Sequence, residues 1–202
     1  MISKPKFKIC RRLGPGVYDK CQTTKFSTSG GGRAGVMGGK RPKALTEYGT
    51  QLIEKQKIRF SYGITERQLS NYVKKASATK GAGTTDKFYE ELESRLDNVI
   101  YRLGLANSRR AARQMVSHGH FIVNDHKVTI PSYGLKTGDI IKIREGSKVK
   151  KLFEGLADRL KDYKSPAWAT FDVVKMEGKV LGKPKNIETF LDLNAVLEFY
   201  SR

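Results

Sequence analysis

Residues 94–144 read SRLDNVIYRLGLANSRRAARQMVSHGHFIVNDHKVTIPSYGLKTGDIIKIR, and the change of period along this stretch decides the fold. Leu96, Val99, Ile100 and Leu103 fall at i, i+3, i+4 and i+7, one apolar helical face, and Gly104 follows as a stop. A second helix is predicted from Ser108, whose hydroxyl can accept a hydrogen bond from a first-turn amide. It turns Ala112, Met115 and Val116 inward and Arg109, Arg110, Arg113 and Ser117 outward, and Gly119 ends it. Phe121, Ile122 and Val123 then run into Asn124-Asp125, a pair that tolerates the positive φ of a tight hairpin, before Lys127 and Val128 return. A turn at Lys136-Thr137-Gly138-Asp139 feeds a strand from Ile140 to Ile143.

At the start of the second helix, arginine side chains and unsatisfied amides point outward together. Phosphate can therefore meet a charged fork and a helix N-terminus at one place. The candidate RNA-binding residues of this stretch are Arg95, Arg102, Ser108, Arg109, Arg110, Arg113, Gln114, His118, His120 and Lys127.

The whole chain fits that reading. Its 202 residues, 38% of them apolar, allow one or two domains. Lys plus Arg number 39 against 20 Asp plus Glu, a net charge of +19, which points to a polyanionic partner. The N-terminus has no apolar run, and no stretch approaches the roughly 20 apolar residues of a membrane span, so a cytoplasmic protein without a membrane partner is expected. Two cysteines, Cys10 and Cys21, cannot make a disulfide framework, and their low count suits a reducing compartment.

Residues 1–43 hold seven Lys and four Arg against one Asp, +10 of the total. They read as a flexible basic arm that carries charge without a core. Its glycine-rich second half would order only on RNA, a solvated tail being the alternative. Arg11, Arg12, Arg33, Lys40, Arg41 and Lys43 are the candidate phosphate contacts there. No Gly-Lys-Ser/Thr follows the glycines and no strand precedes them, which argues against a nucleotide-binding loop.

Residues 44–93 read as a helical domain. Leu45, Tyr48, Leu52 and Ile53 are near helical spacing, Thr65 and Gln68 form a capping box, and Ile64 with Leu69 sits at staple spacing. In residues 147–202, Leu152, Leu156 and Leu160 suggest a short helix. Trp168, Phe171, Val173 and Val174 suggest a strand, and Val180-Leu181 another. Leu193, Val196, Leu197 and Tyr200 predict a docked terminal helix that completes the helical domain.

The order Arg95-Leu96-Asp97, Ser108-Arg109, Ala112, Val116, Gly119-His120, Val123-Asn124 and Gly138-Asp139 resembles the small RNA-binding module named after small-subunit ribosomal protein four. Asp125 stands where that family usually has Gly. The module also occurs in pseudouridine synthases, some tyrosyl-tRNA synthetases and rescue factors, so the flanks must decide. Tyr48-Gly49, Gln51-Leu52, Glu54-Lys55-Gln56-Lys57, Tyr62-Gly63, Glu66-Arg67-Gln68 and the ending Leu197-Glu198-Phe199-Tyr200-Ser201-Arg202 resemble the bacterial-type ribosomal protein four family itself. The resemblance implies an α+β fold: a mainly helical domain plus a module of two helices and a short antiparallel sheet at 94–146. It implies a structural constituent of the small ribosomal subunit that binds rRNA at a multi-helix junction early in assembly. It further implies an influence on decoding fidelity and, as neighbours, ribosomal proteins three and five and the mRNA entry path. Many family members bind zinc through four cysteines in the arm. With two cysteines and no His before His118, no metal is expected here.

Pseudouridine synthases use an Asp after Arg-Leu for catalysis, which makes Asp97 a residue to test, yet the chain has no room for a separate catalytic domain. Asp97 reads better as a partner for Arg95 or a helix cap. No nucleophile elbow, metal-ligand spacing or dinucleotide fingerprint appears, so no enzyme activity, cofactor or small-molecule substrate is expected. A free ribosome-associated or rescue factor carrying the same module remains the alternative at this point.

Overall fold

The computed structural model describes residues 5–28, 45–79, 83–161, 163–185 and 190–201. In chain order its helices are α1 (Lys6–Leu13), α2 (Thr24–Thr28), α3 (Glu47–Tyr62), α4 (Glu66–Ala78), α5 (Thr84–Glu93), α6 (Leu96–Arg102), α7 (Arg109–Ser117), α8 (Glu145–Lys148), α9 (Leu156–Lys161) and α10 (Leu193–Ser201). The strands are β1 (Phe121–Val123), β2 (His126–Lys127), β3 (Ile140–Ile143), β4 (Ala169–Asp172) and β5 (Glu177–Val180). They divide into two compact units, Met1–Lys74 with Ile187–Arg202, and Lys75–Asn186. Among the described residues no helix is long and apolar enough to cross a membrane.

In the first unit, local chemistry sets the helix ends. Thr46 caps α3 by accepting from the Gly49 amide at 3.2 Å, and Gly63 ends it in the left-handed region at φ 63°. Thr65 and Gln68 then exchange both bonds of the expected capping box, at 3.2 and 3.3 Å, with Ile64 and Leu69 fully buried beside it. The predicted terminal helix is present as α10 and packs along α3. Tyr200 donates to the Glu66 carboxylate at 2.6 Å, while the Lys55 ammonium lies 2.8 Å from Glu66 and 4.3 Å from the Phe199 ring centroid. Burial pushes the Glu66 carboxyl up, but Lys55, Tyr200 and Arg59 together hold it below the usual range.

The reading of residues 1–43 as charge without core needs correction. Cys10, Leu13, Val17 and Cys21 are buried, and Phe7, Ile9, Tyr18, Phe26, Ile53 and Phe60 pack around them. The two cysteines, whose count suited a reducing compartment, are joined as a disulfide, with their Cα atoms 6.5 Å apart. Phe7, Cys10 and Leu13 do fall on one face of α1, but the run is short and crowded by Lys and Arg, so it is easily read as charge alone. They gain a core only by folding onto α3. The glycine-rich half, with Arg33, Lys40, Arg41 and Lys43, lies outside the described residues.

The second unit is built on one antiparallel sheet ordered β2-β1-β3-β5-β4. Asn124 and Asp125 both adopt positive φ, 47° and 65°, so the hairpin forms as expected with Asp in the second position. Asn124 Oδ1 accepts from the Ile140 amide and its Nδ2 donates to Asp139, tying the hairpin to the turn that feeds β3. Ile141 pairs with Val123 on one side and Gly178 on the other. The sheet therefore runs unbroken past residue 146, and the 94–146 module and the following strands share one core. That core includes Val99, Ile100, Val116, Phe121, Ile141, Ala169 and Val180. Helix α5, expected within the helical domain, also falls in this unit. Val174, expected in a strand, is 94% exposed in the turn after β4, where Asp172 accepts from the Val174 and Lys175 amides.

Candidate nucleic-acid interface

Helix α7 starts where the sequence indicates: Ser108 accepts from the Ala111 amide at 3.2 Å. Ala112, Met115 and Val116 anchor it in the core, which leaves Arg110, Gln114, Ser117 and His118 exposed on the opposite side. Arg109 and Arg113 are half-buried between the two sides, and Arg102, at the end of α6, is half-buried as well. Two buried carboxylates account for their placement.

Glu93, at the end of α5, is fully buried. It accepts from Arg102 through Nε and Nη2, both at 2.9 Å, and from Asn98 Nδ2 at 2.9 Å. Asn98 in turn accepts from Arg109 Nε at 2.7 Å, and Arg109 Nη2 lies 3.9 Å from Glu93. The Arg109 guanidinium also sits 4.6 Å from the Tyr101 ring centroid. The second carboxylate, Asp97, takes a two-pronged bond from Arg95, at 3.0 and 2.7 Å, with Arg113 Nε 3.8 Å away. Four guanidiniums thus share two carboxylates. The fork planes of Arg102, Arg109 and Arg113 are thereby oriented before any ligand arrives.

Two of the candidate contacts lie inside the fold. Arg95 is 1% exposed and fully engaged by Asp97, so it supports the site from within rather than reaching solvent. His120 is buried, with Nδ1 2.9 Å from the Ser147 hydroxyl and its ring edge-on to Phe153. Burial, reinforced by Lys150, His118 and Arg144, pushes its pKa below the usual histidine value, so it stays neutral near neutrality. Lys127 is exposed, with its aliphatic stem laid against Gly119, whose φ of 68° and lack of a side chain make room for it. Arg11 and Arg12 are exposed at the C-terminal end of α1, in the other unit.

Glu93 and Asn98, which hold Arg102 and Arg109 in place, are residues that sequence reading missed. Charge counting scores Glu93 as a cost to polyanion binding, but it is buried beneath the arginines and anchors Arg102. Asp97 takes the place expected of it as the partner of Arg95 and is 3% exposed. Among the described residues, no group of three His, Cys, Asp or Glu could hold a metal ion.

Comparison with known proteins bears on the same residues. Residues 94–141 match the family described as S4 domain, and residues 2–93 match the ribosomal protein S4/S9 N-terminal domain. The small ribosomal subunit protein uS4 of Syntrophomonas wolfei is 43% identical over 201 residues, covering 96% of this chain and 95% of that protein. Those of Acetivibrio thermocellus and Thermotoga petrophila are 42% and 41% identical, each with at least 96% of both chains covered.

Proposed function

Because this chain belongs to the uS4 family of small ribosomal subunit proteins, a structural and not an enzymatic family, we propose that it binds small-subunit rRNA directly at a multi-helix junction, nucleates assembly of the subunit body in the cytoplasm and contributes to translational accuracy. The observation that carries the reading is the arginine cluster of α6 and α7, oriented by buried Glu93 and Asp97 beside the N-terminus of α7. Phosphates crowded where rRNA helices meet repel one another, and such a cluster offsets that repulsion with directed, charge-assisted bonds. Recognition rests on backbone and shape more than on base edges. Exposed Arg110, Gln114, His118 and Lys127 extend the surface, and Arg11 and Arg12, exposed on the first unit, are separate phosphate contacts. Ribosomal proteins three and five, and mRNA at its entry path, are the neighbours this reading implies.

The test is a salt titration of the full chain against small-subunit rRNA fragments and against a random polyanion of equal charge. Preferential binding of the folded rRNA, with affinity falling steeply as salt rises, is the expected result. No preference would overturn the reading. Stoichiometric retention in salt-washed small subunits separates a resident protein from a free factor, which moderate salt would release.

A further inference from the structure

The first unit contains a groove that the arginine cluster does not use. Between α1 and α3 lies an open cavity of about 620 Å³, within the roughly 300–1,000 Å³ common for small-ligand sites. Ile9, Leu52, Ile53 and Phe60 give it an apolar lining. Lys8 and Arg12, one turn apart on α1, supply cations, and so does Arg59 on α3, which also lies 3.6 Å from the Glu66 carboxylate and donates to Gln56; no lining residue carries a carboxylate. The Arg59 guanidinium lies 5.4 Å from the Phe60 ring centroid, so an aromatic surface and a cation adjoin.

An occupant complementary to this groove has a flat, uncharged body and anionic flanks. A purely polyanionic strand would leave the apolar lining unsatisfied, and a purely apolar ligand would leave Lys8 and Arg12 unmatched. We propose that the groove receives one unpaired, unstacked nucleotide of single-stranded RNA, its base against Phe60 and Leu52 and its flanking phosphates against Lys8, Arg12 and Arg59. Aromatic and arginine planes hold splayed-out bases in this way with little sequence preference. The proposal rests on the rRNA reading and deepens it by giving the N-terminal unit a base-binding role separate from the phosphate contacts of α7.

The experiment uses the full chain and two probes of equal length and charge: a short single-stranded RNA of mixed sequence and the abasic ribose-phosphate polymer. The methyl signals of Ile9, Leu52 and Ile53 should move on addition of the RNA and not of the abasic polymer. The RNA should bind about tenfold more tightly, the scale of one stacked base. Leu52→Trp, which fills the groove, should bring RNA affinity down to the abasic level. The methyl readout on the unaltered protein stands even if that variant fails to fold. Methyl signals that ignore RNA, or that respond equally to the abasic polymer, would overturn the proposal. So would contacts from residues 34–37 to these methyls before RNA is added, or a stronger response to an acidic amphipathic peptide or to oleate. Retained preference for small-subunit rRNA alongside unmoved methyls would sink the groove proposal alone. Loss of that preference would sink the rRNA reading itself.

Discussion

Glu93→Gln separates orientation from charge. The substitution nearly preserves shape and raises the net charge of +19 by one, so phosphate counting alone predicts tighter RNA binding. The geometry predicts the reverse. Glu93 accepts three bonds of 2.9 Å, two from Arg102 and one from Asn98, at a site with no solvent access. Glutamine keeps one acceptor oxygen but turns an amide toward groups that are themselves donors. Breaking a buried ion pair on one side costs about 3–5 kcal/mol, and Arg102, whose side chain is 23% exposed, regains some hydration, so about 2–4 kcal/mol is expected. That corresponds to a fall of roughly 10 °C in unfolding midpoint for a domain of this size.

Binding should also weaken in the folded variant. Arg102 and Arg109 would then have to be ordered by the RNA itself, at about 0.5–1.5 kcal/mol each, a loss of roughly tenfold in affinity. Circular dichroism gives the midpoint, and a filter-binding titration well below it gives the affinity at fixed salt. Equal or tighter binding by the folded variant would show that the Glu93 carboxylate does nothing for recognition.

Arg110→Glu is the clean charge reversal on α7, because Arg110 is exposed, whereas reversal at Arg109 would bring a carboxylate beside buried Glu93. It should lower rRNA affinity several-fold and reduce the salt slope with helicity unchanged. An unchanged slope would remove this face from the interface. His120 gives the second unit a pH dependence, since its folded pKa lies below the ordinary value of about 6.5. The unfolded chain then takes up the proton first, so stability is intact above that value and is lost as pH falls below it toward the folded-state value. Denaturant midpoints should drop as pH falls below about 6.5, and His120→Gln, which keeps a polar partner for Ser147, should flatten the change; an equally steep curve in the variant would assign it elsewhere. Deleting residues 1–43 should reduce the salt slope of RNA binding, as the loss of +10 requires. It should also lower the stability of the first unit, because Ile53 and Phe60 lose the residues packed on them. A truncated chain with an unchanged unfolding midpoint would show that these contacts contribute nothing.

By itself the sequence determined the local architecture: the Ser108 cap, the Thr65–Gln68 box, the Asn124-Asp125 turn, the glycine stops and the apolar stripes of α6, α7 and α10. These features depend on residues three or four apart, on period and on backbone conformation, all of which are written in neighbouring positions. The folding of residues 5–26 around Cys10 and Cys21, the joining of β3 to β5 and the interior placement of Arg95 and His120 depended instead on tertiary structure. So did the conversion of Glu93 from an unfavourable charge into the anchor of Arg102 and Arg109. Whether a charge faces water or another charge is decided by segments distant in sequence, because burial alters solvation and charge partners together.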